Sequence, residues 1–209
     1  MEKIELAIPG CFLSVSDDNL LIGSNRPLTS LSTAIYGGGL RTIRYAINHR
    51  LTRYYPSEKD FPGGSVSAYL EECARRLTAD PEESAVLLTA ATVSLYSHKI
   101  IQNGPVTVEI VTTGGVEKTA CRASSPALYR EEEGRFMPLG TINMMVLLKG
   151  RLPDGIMARA FITLTEGKTA ALQDLGIADV NNGLPATGTG TDGITFITAP
   201  SGPLFTDAG

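Results

Sequence analysis

Tryptophan is absent from this 209-residue chain, and histidine and cysteine are scarce, at two and three residues. His49 and His98 have no paired His, Cys or carboxylate at metal-ligand spacing, which argues against a protein-bound zinc site. Cys11, Cys73 and Cys121 are odd in number and widely spaced, so a disulfide framework is not expected and a cytoplasmic, reducing setting is. Long apolar runs are missing too. Those at 85–91 and 142–148 are too short to cross a bilayer, and Glu2, Lys3 and Glu5 interrupt any signal-like segment near Met1. Positive charge is not in excess: 18 Lys and Arg against 22 Asp and Glu give −4, which argues against nucleic acid as a partner. The glycines at 188–193 are not followed by Gly-Lys-Ser/Thr, so they form no P-loop, and no Gly-x-Ser-x-Gly elbow exists.

What remains is an ordinary globular composition, 43% hydrophobic and 19% charged, long enough to bury a core. It is read as a single domain spanning 1–209. Residues 4–23 alternate short apolar runs with turn residues and predict two or three strands in a meander, Asp18-Asn19 marking a turn. Leu31–Tyr36 runs into Gly37-Gly38-Gly39, three glycines that relax the backbone for a turn or for close approach by a ligand. From Leu40, the spacing of Leu40, Ile43, Ile47 and Leu51 predicts a helix, with Arg41, Arg44, Arg50 and Arg53 on its other side. A second helix is predicted from the Ser65 cap through Val66, Leu70, Cys73, Ala74 and Leu77, with Asp80-Pro81 as its stop and Cys73 as an inert core thiol.

Ser84–Ala91 reads as a buried strand ending in Thr89-Ala90-Ala91. Val106–Val111 alternates as a half-buried strand, and Gly140-Thr141-Ile142-Asn143 opens a third, strongly apolar one. Residues 122–138 read as a polar connection. The segment from Pro153-Asp154 to Gly176 carries helical periodicity, although Phe161–Thr165 would also suit a strand. Altogether this is an α+β fold: a mainly antiparallel or mixed sheet packed with helices, in a layered α/β sandwich.

Two blocks do not look like core-building sequence. Thr165-Glu166-Gly167-Lys168-Thr169-Ala170-Ala171-Leu172 places a carboxylate and an ammonium two residues apart. On a helix, at roughly 100° per residue, Lys168 falls on the apolar stripe with Glu166 nearly opposite; on a strand they share one side. A lysine on an apolar stripe must find a carboxylate or be desolvated into a functional amine. The second block, Ala186-Thr187-Gly188-Thr189-Gly190-Thr191-Asp192-Gly193, can turn several backbone N–H groups toward one anion or developing oxyanion.

Together these blocks resemble the adenosylcobinamide amidohydrolase family of corrinoid salvage. The similarity extends from about Leu31 to Gly209, including the Asn48-His49 segment, Thr89-Ala90-Ala91 and Gly140–Asn143. The resemblance implies hydrolysis of the amide joining aminopropanol to the corrin ring, giving adenosylcobyric acid and 1-amino-2-propanol. The partner is then a small corrinoid, no cofactor is required, and cobalt enters only within the substrate. A homodimer is the default expectation.

Amide hydrolysis needs an activated nucleophile, a stabilised oxyanion and a proton for the leaving amine. Glu166 is the expected acid–base residue, Lys168 its charge partner or proton donor, and Asp192 the group orienting the loop or the water. Expected substrate contacts are Gly38, Gly39, Asn48, Thr89, Thr141, Asn143, Thr187, Gly188, Thr189, Gly190 and Thr191. A hydroxyl nucleophile at Thr141, Thr189 or Thr191, with Lys168 as base, is the alternative chemistry. The alternative functions are a non-catalytic corrinoid-binding protein and a divergent amidohydrolase acting on another amide.

Overall fold

A computed structural model describes residues 3–126 and 140–208; most of the polar connection read at 122–138 lies outside them. Strands β1 (Lys3–Glu5), β2 (Cys11–Val15) and β3 (Asn19–Ser32) form the expected antiparallel meander. Its β2–β3 turn, around Asp17-Asp18, is tied by the amide of Asn19 donating to Ser16 Oγ at 3.1 Å.

The predicted helix from Leu40 is instead a strand, β4 (Gly39–Arg50), antiparallel to β3 and parallel to β5 (Ser84–Thr89). Its second half is buried on both faces, so Ile43 and Ile47 mimic a helical stripe although they lie on opposite clusters of the core. β-Branched Thr42, Ile43 and Ile47 pack well in a pleated surface, and pairing on two edges overrides the local pattern. The arginines serve as ties here. Arg41 donates to the carbonyl of Glu82, and Arg44 to Glu83 Oε1 and to the carbonyl of Asn25.

Helix α1 (Val66–Arg76) forms as predicted, with Ser65 Oγ accepting from the amide of Ala68. It buries Leu70, Cys73 and Ala74. Burial raises the Cys73 thiol to about 11, in keeping with an inert core residue. Then follow β6 (Ser97–Asn103), which the sequence reading left unassigned, β7 (Val106–Gly114) and β8 (Ile142–Leu148). Helix α2 (Asp154–Asp174) crosses over to β9 (Gly193–Thr198), which pairs parallel to β8. The helical alternative for Phe161–Thr165 is thus the one realised. The helix ends on Gly176 at φ +66°, where the amides of Gly176 and Ile177 donate to the carbonyls of Gln173 and Leu172. That is the Schellman pattern, and glycine takes the left-handed residue at least cost.

The nine strands of the described residues join one mixed sheet in the order β1-β2-β3-β9-β8-β7-β6, with β4 and β5 on the far edge of β3. The class is α+β, and the sheet curls into a half-barrel rather than lying in flat layers. The curl follows from β3. Its first half pairs with β2; after an irregularity between Gly23 and Leu28, Thr29–Ser32 pair with β9 on that same edge. The concave side holds a core including Leu13, Leu20, Ile22, Ile43, Met145 and Ile197. The convex side is covered by α2 over β7, β8 and β9, and by α1 over β3, β4 and β5. Each fully buried Leu or Ile contributes roughly 1.5–3 kcal/mol relative to exposure.

Across the concave side, Asn143 donates to Asn48 Oδ1 at 2.8 Å and to the carbonyl of Leu88 at 3.0 Å. Asn48 in turn donates to Thr113 Oγ1 at 2.9 Å. These buried bonds join β4, β5, β7 and β8 where no backbone ladder links β5 to β8.

Candidate functional site

The two blocks singled out in the sequence meet. Lys168 projects from the C-terminal half of α2 onto the Thr/Gly loop and pairs with Asp192, both side chains about nine-tenths buried. The expected partnership of Lys168 with Glu166 does not form. Two residues apart on a helix they point to nearly opposite sides, and Glu166 lies on the exposed face.

Asp192 also organises its own loop. Its carboxylate accepts from Thr189 Oγ1 at 2.5 Å, from the amide of Thr189 at 3.3 Å and from the amide of Ile142 at 3.1 Å. Thr141 Oγ1 donates to the carbonyl of Thr191 at 2.6 Å, and Thr191 Oγ1 to the carbonyl of Gly140 at 3.2 Å. Thr169 Oγ1 reaches the carbonyl of Thr187 at 3.3 Å. Gly188 has no room for a side chain, because a Cβ there would run into Asp192 Oδ2 and stand 2.8 Å from Lys168 Nζ. The hydroxyls expected as nucleophiles are engaged as donors, and Thr189 is fully buried.

On the loop's other side lie Cys121 and the start of the polar connection, for which no place in the site was expected. Cys121 forms an antiparallel bridge with Gly188, its amide donating to the Gly188 carbonyl at 2.8 Å. The amide of Ala123 donates to Thr187 Oγ1. Cys121 Sγ stands 3.8 Å from where a Cβ on Gly190 would be. Burial, then the Asp179 and Asp192 carboxylates, push this thiol up, and the Lys168 ammonium offsets them in part. Asp179 holds the segment, accepting from Ser125 Oγ at 2.5 Å and the amide of Arg122 at 2.6 Å. Nothing local marks Cys121; only its docking against the loop does.

Gly190 sits at φ +85° on the exposed crest. Among the described residues, the backbone amides of Gly190 and Thr191 donate to no protein group. These are the N–H groups that an anion or oxyanion would find.

Three other expected segments border the loop. The notional Cβ of Gly115 would lie 3.3 Å from Ala91 Cβ and 3.8 Å from Gly140 Cα, which brings the ends of β5 and β7 to the start of β8. Thr89 is buried and caps the turn after β5, its Oγ1 accepting from Ala91. Asn48 and Asn143 lie below, their amides satisfied within the concave bridge. Gly38 and Gly39 lie elsewhere: the Gly37–Gly39 turn packs against the carbonyls of Ser84 and Ala34, at the end of β5 opposite Thr89.

The histidines serve the fold. His49 bridges Asn19 and Tyr69, and burial lowers its pKa. His98, read as a lone histidine, bonds the fully buried Glu109 at 2.7 Å. No three His, Cys, Asp or Glu side chains converge as metal ligands among the described residues. No described helix is long and apolar enough to cross a membrane.

Comparison with known families matches residues 12–209 to the adenosylcobinamide amidohydrolase model. The chain belongs to the adenosylcobinamide amidohydrolase family. The whole assembly of Lys168, Asp192, the Thr/Gly loop and the Cys121 segment falls within the matched range. The chain is also similar to an uncharacterised protein of Methanocaldococcus jannaschii, at 28% identity over 172 residues, covering 76% of this chain and 66% of the relative. It thus spans just under two thirds of that relative's length.

Proposed function

We infer that this protein hydrolyses the aminopropanol amide of adenosylcobinamide to adenosylcobyric acid and 1-amino-2-propanol. The observation that carries the reading is the Lys168–Asp192 pair set beside the amides of Gly190 and Thr191, in a chain of this family. A substrate carbonyl seated over those amides would gain two fixed donors for the oxyanion. Water attacks the carbonyl carbon and gives its proton to Asp192. As the C–N bond breaks, Lys168 protonates the departing nitrogen and recovers a proton from Asp192, to which it is bonded directly. The cycle closes with the pair restored and one water consumed. No resident cofactor takes part, and the cobalt belongs to the substrate. The free thiols suit a reducing, cytoplasmic setting.

Two carboxylates compete for the acid–base role, and substitution separates them. In a mass-spectrometric assay for adenosylcobyric acid and aminopropanol, Asp192→Asn and Lys168→Met should each lower turnover at least ~10²-fold. Glu166→Gln, on the outward face of α2, should leave most of it. Loss that follows Glu166 instead would return the role to that residue. No product from the wild-type protein, together with a shift in the corrinoid's visible spectrum, would make it a binding protein.

A further inference from the structure

Strand β6 ends the sheet, and among the described residues only β7 pairs with it. The other margins are short or covered. β1 is three residues long, while β5 is met by the Asn143 amide at Leu88 and by an isolated bridge from Tyr36 to Val86. β6 is seven residues long and leaves open the backbone donors and acceptors of the alternate residues that face away from β7, with Lys99 as its one fixed charge; the His98 ring is turned to the buried Glu109. Edge strands are ordinarily blunted by several charges, proline or a bulge.

Both apolar layers of the half-barrel run out at this margin. Ile100 lies opposite Glu109, on the sheet face that carries Val111 into the concave core. Ile101 lies opposite Val108, on the face packed under α2. Their exposures are 56% and 63%, so each layer stops at a large uncovered side chain.

We propose that β6 is the interface for a second copy of this chain, the two strands pairing antiparallel about a two-fold axis through Ile100. Such an axis places a residue opposite its own copy. Ile100 is the midpoint of Ser97–Asn103, so the full strand is used. In that register Ile100 meets Ile100, Lys99 meets Ile101, His98 meets Gln102 and Ser97 meets Asn103. No charge faces its like, the Lys99 stem covers the partner's Ile101, and both apolar layers continue into the second copy.

The register supplies its own test. Ile101→Lys sets a lysine opposite the partner's Lys99 twice over, by symmetry. Adding Lys99→Glu turns both contacts into opposite-charge pairs. Light scattering coupled to gel filtration should give twice the 22.2 kDa chain mass for the wild type. Ile101→Lys should weaken the dimer by about tenfold or more, and the double variant should recover it. All three proteins should share one circular dichroism spectrum, since both positions lie on the exposed edge. A monomeric wild type, a dimer indifferent to Ile101→Lys, or a double variant that stays monomeric would each overturn the proposal.

Discussion

Replacing Gly188 by alanine tests the ion pair at the site without altering either charge. Gly188 is not among the glycines held at positive φ, so alanine suits its backbone and only space is in question. The added Cβ would press on Asp192 Oδ2 and Lys168 Nζ together. Relief requires the pair to part by an ångström or more. At an effective dielectric of 20, separating unit charges from about 3 to about 4.5 Å costs about 2 kcal/mol. Burial excludes most of the water that would compensate, since the side chains are 12% and 13% exposed. For a chain of this size that is a fall of about 4–8 °C in melting temperature. Turnover should drop with it, by at least ~10²-fold if Lys168 passes a proton to and from Asp192. Differential scanning calorimetry and the amide-hydrolysis assay read the two effects. Gly167 is the control: it lies on the same helix as Lys168 with open space around its Cβ position, so Gly167→Ala should raise stability by about 0.5–1 kcal/mol. An unshifted melting curve and undiminished turnover in Gly188→Ala would refute the tight packing of the pair beneath the loop.

Asn143→Ala should cost about 2–4 kcal/mol in urea unfolding, because Asn48 Oδ1 and the Leu88 carbonyl both lose their donor in a buried setting. A loss well under that would mean the concave bridge is filled by water. Asp179 predicts an acid limb. Bonds from Ser125, first, and from the amide of Arg122 hold its carboxyl at about 2, below its usual 3.8. The folded-state value is depressed, so its contribution is complete above pH 3.8 and is lost as pH falls through about 2. Plotted against pH over that range, the melting temperature should fall more steeply for the wild type than for Asp179→Asn; parallel plots would remove Asp179 as the anchor of the Cys121 segment.

Where a signal was local, the sequence disclosed it. Ser65 capping a 3.6-residue apolar stripe made α1 legible, and the apolar runs of β5 and β8 announced buried strands. Lys168 stood out because an ammonium on an apolar stripe needs a partner. Asp192 stood out as well, but its pairing with Lys168 did not, because the two are 24 residues apart and meet only once α2 docks on the loop. The same limit hid the Asn48–Asn143 bridge, 95 residues apart in the chain. β4 failed for a different reason. A strand buried on both faces loses its period-two signature, and the residues left over happened to fall at helical spacing.

The shared edge of β3 constrains the order in which the chain can be built. As residues emerge from the ribosome, β1 to β5 can pair at once, but Thr29–Ser32 wait for Thr195–Thr198 to fill their remaining edge. Until then that edge is open to chaperones or to neighbouring chains. The same strand that starts the sheet is therefore finished last, and a truncation before Gly193 would leave two unfilled edges, on β3 and on β8.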